Sequence, residues 1–181
     1  MSTELVIQQY QLANGVARSL LADCEACGRG LQKTNIVKDF AKDLERGVSY
    51  LPAEWLQEVE FAPLALQGAS PAWRQKVLDN VLGELGDATN YVLTLPYYAT
   101  GYRIASLMSL LPAYQTLLLA AQQQSNLFTP NHHVKISRQT MVQCVQEAQT
   151  MVTDNEAVLV YSKGLEQAVK ATFQSVPVNG R

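Results

Sequence analysis

LQKTNIVKDFAKDLERGVSYLP, from Leu31 to Pro52, decides how this chain is read. Within it Gln32, Asn35, Asp39 and Asp43 recur at steps of three and four residues, which on a helix sets each side chain about one turn above the last. One face therefore carries two carboxamides and two carboxylates. Such oxygen donors suit a hard cation, and Mg²⁺ held by few protein groups completes its octahedron with water and substrate phosphates. The plainer reading is a solvated helix face. Gln32 and Asn35 weigh against it, because a solvated face more often carries Lys and Glu. Ile36, Val37, Phe40 and Leu44 supply an apolar side to the same helix, and Gly47 stops it.

The longer run GLQKTNIVKDFAKDLERGVSYLPAEWL, Gly30 to Leu56, resembles the second aspartate-rich region of squalene and phytoene synthases. There a QxTNIxRD core is followed by a DxxED-type motif and a G…(Y/F)xP turn, and Gln32, Thr34, Asn35, Ile36, Asp39, Asp43, Gly47 and Pro52 match it at fixed spacing. Two positions depart. Lys38 stands where the family has Arg, and Lys42 where it has the Glu of DxxED, so the cluster loses a negative charge and gains a positive one. SLLPAYQTLLLAA, Ser109 to Ala121, is similar to the Pro-containing helix that lines the hydrocarbon tunnel of squalene synthases. HHVKISR, residues 132–138, resembles the VKIR segment that binds cofactor phosphates in the NADPH-using members: Lys135 matches, Ser137 replaces the Arg, and Arg138 comes one residue late.

The resemblance implies an all-α, isoprenoid synthase-type helical bundle that condenses two prenyl diphosphates, such as farnesyl diphosphate, head to head, with NADPH reduction following in squalene synthases. It implies Asp39 and Asp43 as catalytic carboxylates and Asn35, Asp39 and Asp43 as Mg²⁺ ligands. Gln32 and Lys38 would contact diphosphate, Leu111 and Pro112 the prenyl chain, and Lys135 with Arg138 the phosphates of NADPH. The family's first aspartate-rich helix, with its DxxxD, has no counterpart in this sequence, so the match corresponds to the C-terminal portion of the family's domain and implies a fragment or reduced homologue. A second reading belongs to another class: a non-catalytic helical prenyl-binding or interaction protein, its site completed by self-association or by a partner chain.

Composition bounds both readings. The 181 residues suit one domain spanning 1–181, and 48% hydrophobic with 17% charged residues describe a well-buried globular chain. A net charge of −2 provides no broad basic field, which disfavours nucleic acid as a partner. Cys24, Cys27 and Cys144 form an odd set, expected as free thiols in a cytoplasmic protein, with the lone CxxC read as two small residues in a packed helix. MSTELVIQQY lacks the basic-then-apolar order of a signal peptide. The apolar run Leu107–Ala121 is too short to span a bilayer and reads as a buried helix, leaving peripheral membrane contact but no transmembrane anchor.

Periodicity predicts a helix over residues 4–21, interrupted only at Asn14 and Gly15, and a second from a cap at Asp23 to Gly47. A short helix follows at 53–58, then an irregular stretch at 61–68. Ser70 and Pro71 open a helix running over 72–95, and residues 101–124 form a central apolar helix bent at Pro112. After a connector bearing the surface histidines His132 and His133, helix returns over 139–152. A capping box at Thr153–Glu156 opens the last helix, which reaches Phe173 before Val176-Pro177 and Asn179-Gly180 end the order. No alternating strand pattern occurs, so the fold is predicted all-α.

Overall fold

A computed structural model describes residues 2–59 and 63–174. It contains seven α-helices among the described residues: α1 (Thr3–Gln9), α2 (Asn14–Glu45), α3 (Ala53–Gln57), α4 (Pro71–Thr94), α5 (Thr100–Gln122), α6 (Arg138–Thr150) and α7 (Asn155–Gln174), with a short 3₁₀ turn at Pro63–Gly68. The all-α prediction holds, with no strand among the described residues. The expected stop at 176–180 lies outside them.

The N-terminal boundary is where sequence and structure part. Gln11, at φ +47°, turns the chain, and the Leu12 N–H bonds back to Ile7 O at 3.1 Å, closing α1. Asn14 and Gly15 do not break a helix but begin one, and α2 passes through Asp23 and both cysteines without interruption for 32 residues. Asp23 is thus an interior residue and caps nothing. Cys24 and Cys27 are free thiols, as expected; burial, and then the neighbouring Cys24, push the Cys27 thiol up. At the far end Gly47 takes φ +75°, a left-handed conformation that a side chain would strain, and its N–H caps Leu44 O at 2.9 Å.

Helix α2 lies along α4 at unusually close range. A Cβ placed on Gly30 would sit 2.9 Å from Glu84 O and 3.0 Å from Glu84 C, backbone atoms that cannot rotate away. Around that contact Lys33 Nζ reaches Glu84 Oε1 at 2.7 Å and Asn80 Oδ1 at 2.7 Å, and Arg29 Nε reaches Glu84 Oε2 at 3.1 Å. Burial alone would raise the Glu84 carboxyl, but the hydrogen bonds and charges of Lys33 and Arg29 outweigh it and hold the group below the usual carboxylate range. This contribution to stability is present above the unfolded carboxylate pKa and is lost as pH falls through the lower folded one.

Helix α4 starts as predicted: Ser70 Oγ accepts the Trp73 N–H at 3.2 Å, with Pro71 in the first turn. Helix α5 is central, contacting α2, α4, α6 and α7, and it buries Leu107, Leu110, Leu111 and Leu117. It runs through Pro112 as one element of 23 residues, within two residues of the predicted 101–124 at either end. By length and composition alone α5 could cross a membrane, but its packing against four helices identifies it as a core element.

Arg103 near its start is fully buried and has no carboxylate partner among the described residues; it donates instead to Val92 O (2.8 Å), Leu95 O (2.6 Å), Asn155 Oδ1 (2.7 Å) and Val152 O. It thereby ties carbonyls at the end of α4, including Val92 O, which also accepts the Leu95 N–H at 3.2 Å, to the α6–α7 turn. That turn is capped by Asp154, whose Oδ1 accepts the Ala157 N–H at 2.9 Å, one residue later than the predicted box at Thr153.

Replacing Gly30 with Ala should destabilise the chain by about 1–3 kcal/mol, because the helices must part to admit a methyl group. Gly28→Ala, which meets open space two residues away, should be neutral or stabilise by up to ~1 kcal/mol through helix propensity. Urea unfolding of both variants checks this, and equal effects would contradict the close approach.

Candidate functional site

Between α2, α5 and the connector that follows α5 lies an open cleft of about 930 Å³. Its third wall is set by the chain between α5 and α6. Phe128 and Asn131, at φ +66° and +65°, turn this segment back over the bundle. Phe128 is anchored between Phe40 (ring centroids 5.1 Å) and Trp73 (5.4 Å), while Leu127 and Val134 are also buried. Pinning on either side leaves His133, Lys135 and Ile136 along the cleft.

Ser137, which stands where the resemblance expects Arg, acts on its own helix instead, and its Oγ caps α6 by accepting the Thr140 N–H at 3.0 Å. His133 Nε2 lies 3.6 Å from Glu45 Oε1.

The predicted site residues divide. Asn35, Lys38, Asp39, Pro112, Lys135 and Arg138 all line this one cleft. Residues predicted to contact diphosphate, prenyl chain and NADPH phosphates thus share a single space. Three do not line it. Gln32 is exposed outside the lining, Asp43 is half-buried one turn beyond it, and Leu111 is fully buried in the core.

Helical geometry accounts for the difference. The face of α2 that meets the cleft runs through Leu31, Thr34, Asn35, Lys38, Asp39 and Lys42, so the polar stripe is rotated and only its middle faces inward. On α5 the lining positions Ser109, Pro112, Ala113 and Thr116 share one flank, which excludes Leu111.

The cleft is divided by polarity. Its buried members Thr34, Ala113, Thr116 and Val134 are each at most 5% exposed and form a floor. Both threonine hydroxyls are committed to their own helices, Thr34 Oγ1 to Gly30 O at 2.8 Å and Thr116 Oγ1 to Pro112 O at 2.7 Å, so they offer the cleft little polarity. The rim is cationic: Lys38, Lys42, Lys135 and Arg138 face one carboxylate, Asp39. Thr34 enters the sequence reading only as a motif match, and Ala113, Thr116 and Met141 carry no role in it; the signal available was one-turn spacing, of Thr34 from Lys38, Thr116 from Pro112 and Met141 from Arg138.

Lys38 Nζ lies 3.1 Å from Asn35 Oδ1 and 3.3 Å from Asp39 Oδ2. Two oxygen donors therefore converge on one cationic atom, an arrangement that fits a single Mg²⁺ completed by water and phosphate oxygens. A closed metal cage is not built here, since among the described residues no three His, Cys, Asp or Glu side chains cluster. A Mg²⁺ bound there would compete with Lys38 for the same oxygens. Lys38→Met should accordingly raise the affinity of the chain for Mg²⁺ severalfold by calorimetry, and unchanged affinity would show that Asn35 and Asp39 do not share a cation.

Residues 1–140 match the family model described as squalene/phytoene synthase, a span that includes α1 to α5 and the connector. A bifunctional lycopene cyclase/phytoene synthase from Arthroderma gypseum is 37% identical over 62 residues, covering 33% of this chain and 10% of that protein. Another from Phaeosphaeria nodorum is 29% identical over 108 residues, covering 56% of this chain and 18% of that protein. The matched stretches thus span under a fifth of the length of either relative. No solved structure matches.

Proposed function

Because the chain belongs to the squalene/phytoene synthase family, we propose that its cleft binds a prenyl diphosphate, such as farnesyl diphosphate, as one wall of a head-to-head prenyltransferase site. The observation that carries this reading is the cleft's division into a cationic rim and an apolar floor. An amphipathic ligand with an anionic head and a hydrocarbon tail matches both halves at once. Lys38, Lys42, Lys135 and Arg138 would hold the diphosphate, the guanidinium offering paired donors and the ammonium groups point charges. Pro112, Ala113 and Met141 would border the prenyl chain and exclude water from it.

Departure of diphosphate from an allylic carbon develops negative charge on the leaving oxygens, and fixed cations around them stabilise that charge without reorganising. Mg²⁺, held by Asn35 and Asp39 and carried in with the phosphates, would supply further neutralisation. In the same reading NADPH phosphates would meet Lys135 and Arg138, on the wall that also serves the diphosphate.

Lys42 favours a second reading, binding without turnover, because it brings a positive charge to the cleft where the resemblance places a metal-coordinating Glu. Incubation with Mg²⁺, NADPH and labelled farnesyl diphosphate separates the two: presqualene diphosphate, squalene or dehydrosqualene supports catalysis, and their absence beside measured binding supports the second reading.

Binding itself is checked by thermal unfolding. A nonreactive farnesyl diphosphate analogue with Mg²⁺, at ~100-fold excess over its Kd, should raise the Tm by roughly 5–10 °C, and Asp39→Ala should remove the Mg²⁺-dependent part of the shift. No shift in the parent chain would remove prenyl diphosphate binding.

A further inference from the structure

We infer that Ala113 is the residue whose size sets how long a prenyl chain the cleft accepts. This rests on the prenyl diphosphate reading above and deepens it. The floor of the cleft lies between α2 and α5, where Thr34 and Thr116 keep their hydroxyls on their own helices and Ala113 presents only a methyl group. Large residues, Leu107, Leu110, Leu111, Tyr114 and Leu117, fill most of the buried side of α5, and its other small buried residues, Ser106, Ala120 and Ala121, lie away from the cleft lining. Ala113, at 5%, is the one alanine in the cleft lining, so atoms added beyond its Cβ would take space from the floor.

A diphosphate held at the rim by Lys38, Lys42, Lys135 and Arg138 fixes one end of the ligand. The tail then descends towards the floor, and the residue it reaches measures its length. Helix α5 contacts α2, α4, α6 and α7, so a larger side chain at 113 has little freedom to retreat into the core and must occupy the cleft. The rim cations are untouched by such a change, which separates recognition of the head from recognition of the tail.

The test is a graded series, Ala113→Val, Ala113→Leu and Ala113→Phe, titrated calorimetrically with inorganic diphosphate and with geranyl, farnesyl and geranylgeranyl diphosphate in Mg²⁺ buffer. Circular dichroism confirms that each variant keeps its helix content. Affinity for inorganic diphosphate should stay at the parent value throughout. The longest chain accepted should shorten as the side chain grows, with the excluded ligand losing about tenfold or more at each step.

If Ala113→Phe prevents folding, Ala113→Val and Thr116→Leu provide the same comparison. Folded variants that keep the parent's ranking of chain lengths, with diphosphate still bound, would overturn the role of Ala113 and leave the reading of the cleft intact. A parent chain that binds none of the ligands would overturn that reading, and the role of Ala113 with it.

Discussion

Helix α2 can carry its polar residues over α5 only because Gly30 lets it lie directly against α4. A glycine in mid-helix costs about 1 kcal/mol of propensity relative to alanine. Here that cost is offset by backbone contact with Glu84 and by the Arg29, Lys33 and Asn80 side chains gathered around it. The rotation of α2 about its own axis follows from this contact. With Gly30, Val37 and Ala41 buried, the opposite flank bearing Asn35, Lys38 and Lys42 is directed to the cleft. A fold-level constraint thus selects which of the motif's residues face the ligand.

The opposite wall depends on a different kind of anchoring. The connector after α5 has no helix of its own, yet Leu127, Phe128 and Val134 are buried, and Ser137 fixes the start of α6. Lys135 and Arg138 are positioned by that short span, which brings them to the same rim as Lys38. Four cations on one rim repel one another in the free chain, and a polyanion relieves that repulsion. Surface screening weakens such effects, but the buried floor beneath adds an apolar contact that salt does not weaken. The proposed prenyl diphosphate ligand rests on the two together more than on either alone.

Much of this is legible in the sequence. Helical periodicity and capping residues locate α4 to α7 within a few positions, because Ser70, Pro71 and Ser137 act through local geometry that a sequence displays. The start of α2 is not legible: Asn14 and Gly15 look like a turn, whereas the break comes at Gln11, whose left-handed conformation its residue type does not announce. Spacing points Asn35 and Asp39 to a shared site and the resemblance adds Lys38, and all three line one cleft. Spacing cannot set the rotation of the helix, so it groups Gln32 and Asp43 with them and passes over Thr34. Leu111 reads as a cleft residue because Pro112 beside it is one; adjacent positions on a helix diverge by about 100°, and Leu111 faces the core.

In the proposed binding mode one ligand lies with its head at the cationic rim and its tail on the floor between α2 and α5. Photo-crosslinking tests it most directly, using a farnesyl diphosphate analogue with a diazirine at the end of the chain remote from the diphosphate. Mass spectrometry should find adducts on peptides containing Thr34 and the Pro112–Thr116 turn, suppressed by excess unlabelled farnesyl diphosphate. Adducts confined to the rim around Lys135 and Arg138, or spread over the exposed surface, would contradict the account.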